Sequence, residues 1–176
     1  KSLIDTNTYK CDWISEDPYV SGRWASASYN AVQYFMDARN FLNDSNVLQF
    51  QDLANYWESG ATFDSIQYQV NKTFLQNYTN DVIEACKRTN INPYYILARL
   101  FQEQGSSGSG TIDMDGGDGK RYFNPFNIGA RVGNDVQTAL ERAKREGWDS
   151  MEKGLEGGIN IIKERYINKQ QNNYKQ

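Results

Sequence analysis

Glu103 is the residue of this chain whose setting most resembles a reaction site. Ile96, Leu100 and Glu103 are spaced i, i+4 and i+7, so on a helix they share one face, and that face reads as the buried one. A carboxyl group at the end of an apolar face is partly desolvated, which disfavours its charged form. In the last helical turn it also meets the negative end of the helix dipole. Both effects point to a glutamic acid that stays protonated near neutral pH, the state from which a proton can be given to a leaving oxygen. The plainer alternative is an edge residue that reaches solvent or pairs with Arg99, four positions earlier. Gly105, Gly108 and Gly110 follow directly and clear side chains from the place where a bulky polymer would approach the carboxyl group.

Composition narrows the chemistry. The chain has 0 histidines, which excludes Ser-His-Asp and Cys-His catalysis and the commonest zinc and iron ligand sets. Acid–base work therefore falls to carboxylates, tyrosines or lysines, with carboxylates first. Cys11 and Cys86 lie in no metal-like pattern, and a disulfide or two ordinary thiols fit them equally. The segment from Asp113 has Asp118 where a calcium loop needs its sixth-position glycine, and Asn124 where it needs a twelfth-position glutamate. No metal and no other cofactor is expected. With 19 Lys+Arg against 22 Asp+Glu and a net charge of -3, the concentrated basic surface of a nucleic-acid binder is missing. No apolar run reaches the length of a membrane span, so no membrane insertion is expected. Aromatics make up 14% of a chain whose mean hydropathy is -0.77, a combination that suits presenting rings to amphipathic ligands such as sugars.

The elements that would position Glu103 are mainly helices. Turn signals at Asp17-Pro18 and Ser21-Gly22 leave residues 1–25 irregular. Apolar periodicity predicts helices over 28–39, 47–57, 66–75 and 81–88. Asn92 then reads as an N-cap with Pro93 at the first helical position, starting the helix that ends at Gly105 and carries Glu103. Residues 111–114 can pair with 121–123 as a hairpin, and closing helices are predicted over 135–145 and 150–166. The fold class is mostly α (α+β), a helical body interrupted once by a small Gly-rich β-lobe.

These residues also carry a family resemblance. The run NPYYILARLFQEQG at 92–105, then Gly108-Ser109-Gly110, then YFNPFNIGA at 122–130, Gly147-Trp148, Gly157-Gly158 and Tyr166-Ile167 resembles the endo-β-N-acetylglucosaminidases of glycoside hydrolase family 73. Upstream, MDARNFLN at 36–43 and LQFQDL at 48–53 are similar to the N-terminal part of the same module. The resemblance implies a lysozyme-like fold and a secreted, cell-wall autolysin acting on peptidoglycan glycan strands as a monomer. It divides the chain into an N-terminal segment (1–29), a glucosaminidase domain (30–167) and a polar tail (168–176). Glu103 stands at the family's catalytic glutamate. Asn124, Phe126 and Asn127 stand in the segment that lines the glycan cleft, with Tyr122 at its start and Tyr166 on the closing helix as substrate-binding rings.

The second catalytic group is left open among several candidates. Some relatives carry a second glutamate on a hairpin after the N-I-G-A segment, whereas here Arg131-Val132-Gly133 leads into a helix. Asp113, Asp115 and Asp118 lie on the hairpin loop, where one could orient a water, although a Gly/Asp turn uses such residues anyway. Glu141 sits on a helix beside Arg142 and Lys144, as a solvated residue would. Glu152 shares a face with Leu155, Ile159 and Ile162, but a capping-box role after Asp149 explains it more plainly. The substrate's own 2-acetamido group is a further candidate. A lytic transglycosylase and a non-catalytic glycan-binding module are the competing functions.

Overall fold

The computed structural model describes residues 3–5, 7, 13–15, 20–21, 24–41, 43 and 52–169. The chain divides into two compact units, one of residues 1–51 with 173–175 and one of residues 52–172 with 176. In the first, strands β1 (Leu3–Asp5), β2 (Val20–Ser21) and β3 (Trp24–Ser26) form an antiparallel sheet in the order β1-β3-β2. Ile4 pairs with Ala25, and Ser21 with Trp24. This corrects the expectation of an irregular segment. Strands of two or three residues are too short for a period of two to register in a sequence. Helix α1 (Tyr29–Met36) follows, with the Ser28 hydroxyl accepting from the Ala31 N–H, and a 3-10 turn spans Ala38–Phe41. Tyr34 and Phe35 of α1 pack edge-on with Trp13 and Phe41 nearby.

The predicted helix over 47–57 falls partly on residues 44–51, outside the described residues. Its described end, 52–57, is a series of turns. Leu53 and Tyr56 are buried there, fixed by backbone bonds to the next helical corner: the Leu53 carbonyl accepts from Asn92 N–H and the Asn90 side chain accepts from Tyr56 N–H.

The second unit is the helical body. Helix α2 (Phe63–Val70) opens with a reciprocal capping box between Thr62 and Ser65. Helix α3 (Thr79–Thr89) stops at Asn90, which adopts φ 46° and so reverses the chain. Helix α4 (Pro93–Gln104) begins as expected, with the Asn92 side chain accepting from Tyr94 N–H and Pro93 in the first turn. Strands β4 (Met114–Asp115) and β5 (Arg121–Tyr122) form the expected hairpin, pairing Met114 with Tyr122. Helices α5 (Asp135–Glu146) and α6 (Met151–Arg165) close the unit. The observed class is mostly α with a small β-lobe.

One core joins Ile66, Val70, Val82, Ile96, Leu100, Leu155 and Ile159, all fully buried. Each such side chain contributes roughly 1.5–3 kcal/mol of transfer free energy. A second cluster of Met114, Tyr122, Ala139, Ala143 and Trp148 fastens the hairpin to α5. Helix α6 approaches residues 123–126 very closely. A Cβ at Gly154 would lie 2.6 Å from the Phe123 carbonyl oxygen, and one at Gly158 would overlap the Phe126 ring. No helix among the described residues is long and apolar enough to cross a membrane. A 3-10 turn at Ile167–Lys169 leads into the polar tail, of which 170–176 lie outside the described residues.

Candidate active site at the end of α4

The buried stripe of α4 is Pro93, Ile96, Leu97, Leu100 and Gln104. The face therefore ends in Gln104, which is 7% exposed, and not in Glu103. One residue earlier on a helix is about 100° around the axis, so Glu103 sits at the edge of the stripe with its side chain 32% exposed. The expectation of a carboxyl group on the buried face is corrected. Its Oε1 accepts from Arg99 Nη2 at 3.1 Å, the pairing at i and i+4 that was the plainer alternative. Arg99 Nη1 also donates to Gln102 at 2.7 Å. Among the described residues no donor meets Oε2 of Glu103.

The backbone beneath Glu103 is held from across the chain. The last carbonyls of a helix have no intrahelical partner, and Asn127 Nδ2 donates to that of Glu103 at 2.9 Å. Asn127 adopts φ 52°, which Asn tolerates better than most residues. Its Oδ1 accepts from Gln104 Nε2 at 3.1 Å and from the Thr111 hydroxyl. Gln104 Nε2 reaches the Pro125 carbonyl at 2.9 Å, and its Oε1 accepts from Ser109 N–H at 3.2 Å. Gly105 then turns the chain away at φ 65°. Sequence reasoning missed Gln104, Ser109 and Thr111. Gln104 was legible, because it lies at i+4 from Leu100 and i+8 from Ile96.

The expected substrate-binding residues divide into two groups. Asn124 is 0% exposed, and its side chain donates to the carbonyls of Ile128 and Ala139 while accepting from Ile128 N–H. Phe126 is buried against α6. Asn127 is half-buried and spent on the end of α4. All three shape the segment and present little to a ligand. Tyr122 is buried too, its hydroxyl donating to Asp118 at 2.9 Å and Lys144 Nζ lying 5.6 Å from its ring centre. That bond holds the Asp118 carboxyl below its ordinary range and raises the Tyr122 phenol. Tyr166, capping α6, is 45% exposed and remains available to a ligand. Burial raises the Tyr95 phenol, with Arg99 opposing and Tyr166 adding to the shift, which places these three groups near one another. Tyr95, Arg99 and Glu103 recur every fourth residue, so they form one stripe of α4 with Tyr166 beside it.

Each candidate for a second carboxylate has another partner. Asp113 pairs with Arg121 at 2.7 Å, and Asp115 accepts from Gly117 N–H as a turn former. Glu141 accepts from Gln137 along α5. Glu152 pairs with Arg88 of α3, and the cap of α6 is Ser150, whose hydroxyl accepts from Lys153 N–H, so Glu152 is no capping-box residue. Residues 131–134 turn directly into α5, as the sequence implied. Cys86 is buried and its thiol pushed up by desolvation, while Cys11 lies outside the described residues. An open groove of about 570 Å³ between Asp81, Lys120, Phe123 and Asp149 shares no residue with the stripe around Glu103.

No protein-family model matches the chain. A bifunctional autolysin of Staphylococcus aureus strain Mu50 is 27% identical over 165 residues, covering 87% of this chain and 13% of the autolysin. The chain thus spans a small part of that relative. The crystal structure of S. aureus glucosaminidase B is 27% identical, with a TM-score of 0.77 over 96% of this chain and 67% of its own. A catalytic mutant of S. aureus autolysin E, with a glutamate replaced by alanine, has been solved in complex with the disaccharide NAG-NAM. At 22% identity and a TM-score of 0.59, covering 95% of this chain and 72% of its own, it shares the fold.

Proposed function

Because the chain is homologous to the S. aureus bifunctional autolysin and has the fold of its glucosaminidases, we propose that it hydrolyses the glycan strands of peptidoglycan, with Glu103 as proton donor. The bond cut is the β-1,4 linkage after N-acetylglucosamine, and the protein works outside the membrane, in the cell wall. The observation that carries this reading is a partly exposed glutamate at a helix end whose carbonyl is held by Asn127, itself bonded to Gln104 and Thr111, while among the described residues no donor meets one carboxylate oxygen. In a chain with 0 histidines, such a carboxyl group is the natural source of the proton. The catalytic mutant of autolysin E, made at a glutamate and holding NAG-NAM, supports the same assignment.

The step itself needs few parts. Glu103 protonates the glycosidic oxygen as its bond to C1 breaks, and the sugar passes through an oxocarbenium-like state. Asp113, Asp115, Glu141 and Glu152 are each engaged elsewhere. The substrate's own 2-acetamido oxygen then serves as the nucleophile, and water opens the resulting ring. Tyr166, exposed at the end of α6, offers an aromatic face to the sugar.

The test is mass spectrometry of purified peptidoglycan digested by the wild-type chain and by Glu103→Gln. Products with reducing-end N-acetylglucosamine, absent with the variant, are expected. Anhydro-muramic ends would identify a lytic transglycosylase instead. Glycan bound by both proteins and cut by neither would identify a binding module.

A further inference from the structure

We propose that Arg99 is the positioning residue of the reaction, anchoring Glu103 through Oε1 so that Oε2 is the oxygen that holds and delivers the proton. This rests on Glu103 being the acid. Three observations carry it. The contact is monodentate, from Arg99 Nη2 to Oε1 at 3.1 Å, where a bidentate fork would have occupied both oxygens. Arg99 itself is steadied by its second bond, to Gln102, and lies at 30% exposure on the same stripe as Glu103. Among the described residues Arg99 is the only side chain bonded to the Glu103 carboxyl group.

The geometry suits both protonation states. In the neutral acid, Oε1 is the carbonyl oxygen and accepts the guanidinium N–H, while Oε2 carries the proton. As that proton moves to the glycosidic oxygen and the C1–O bond gives its electron pair to the leaving group, the carboxyl group becomes an anion. The bond from Arg99 then becomes charge-assisted and strengthens. Water later adds its hydroxyl to C1 and returns its other proton to Oε2, restoring the acid. An interaction that tightens only as charge develops lowers the barrier more than it tightens substrate binding.

The test compares the 176-residue chain with Arg99→Gln, Arg99→Lys and Arg99→Met on a soluble tetrasaccharide of alternating N-acetylglucosamine and N-acetylmuramic acid. Loss of the anchor should lower kcat by about ten- to a hundredfold, the scale of a small misplacement of a reacting group, with KM little changed. Arg99→Lys, which keeps a cation, should recover part of the loss. In a Glu103→Gln background, Arg99→Gln should cause no further drop. Wild-type kcat in both Arg99→Gln and Arg99→Met, or a loss confined to KM, would overturn the role of Arg99 while leaving Glu103 as the acid. Full activity of Glu103→Gln would overturn both.

Discussion

Replacing Gln104 by leucine isolates the polar network under the candidate site. Leucine is close to glutamine in volume and is a good helix former, so the change removes hydrogen bonds without opening a large cavity. Three bonds from Nε2 disappear, to the Pro125 carbonyl at 2.9 Å, Thr111 Oγ1 at 3.1 Å and Asn127 Oδ1 at 3.1 Å. Thr111 and Asn127 keep each other, and the exposed Ser109 amide can turn to water. The Pro125 carbonyl is buried and loses its donor, which costs about 1–3 kcal/mol, and the other lost bonds cost about 1 kcal/mol. The added apolar burial offsets about 1–2 kcal/mol. The net expectation is a destabilisation of about 1.5 kcal/mol, a sizeable part of a total that is typically about 5–15 kcal/mol. With a urea slope of about 1–3 kcal/mol per molar, the midpoint should fall by about 1 M. Tryptophan fluorescence reads this directly, since Trp148 is buried in the same unit. Hydrolysis should fall as well, even where the variant is folded, because Asn127 loses one of the contacts that orient it toward Glu103. A midpoint equal to or above wild type would refute the network as a source of stability.

Two further outcomes follow from the packing and the charges. Gly158→Ala should lower stability by about 1–2 kcal/mol, since displacing Phe126 costs more than the roughly 1 kcal/mol that alanine returns in helix propensity. An unchanged or raised urea midpoint would show that the ring can move freely. Asp118→Asn should flatten part of the acid limb of stability. The Asp118 carboxyl is depressed in the folded protein, chiefly by the Tyr122 hydroxyl, so its contribution is complete above the unfolded carboxylate pKa of about 3.9 and is lost as pH falls through the folded value. The stability gap between wild type and variant should therefore be constant from neutral pH to about pH 5 and shrink below about pH 4. A gap that persists unchanged into that acidic range would contradict the assignment.

Several helix ends of the second unit were legible because they are signalled locally. Asn92-Pro93 starts α4, Gly105 and Gly147 end α4 and α5, and the Gly/Asp loop between β4 and β5 marks the hairpin. The small sheet at the N-terminus was not, since its strands are two or three residues long and show no period of their own, and β1 reaches its partner β3 from about twenty residues away. Within the site, Glu103 was found through the apolar face of α4, but its place on that face was off by one residue. Periodicity fixes a stripe to within a residue, and only the contacts of Gln104 show which side chain turns inward. Asn124 and Phe126 look alike whether they face a ligand or the core. The burial of Phe126 depends on Gly158 of α6 and that of Asn124 on the Ala139 carbonyl of α5, both distant in sequence, and no local pattern carries that information.

Those glycines also tie the fate of the site to the way the chain folds. Gly154, Gly157 and Gly158 lie within fifteen residues of helix, and each is about 1 kcal/mol less favourable there than alanine. A helix of that length and composition has little tendency to form alone in water. It is helical because α3 and residues 123–126 lie against it, and Phe126 in turn stays buried because the helix lies against its ring. Helix and segment therefore gain or lose structure as one cooperative unit. Asn127 belongs to that unit, so its grip on the Glu103 carbonyl lasts only while the unit is closed. Because the same helix places Leu155 and Ile159 in the main core, opening of this region loosens the core and the support under Glu103 together.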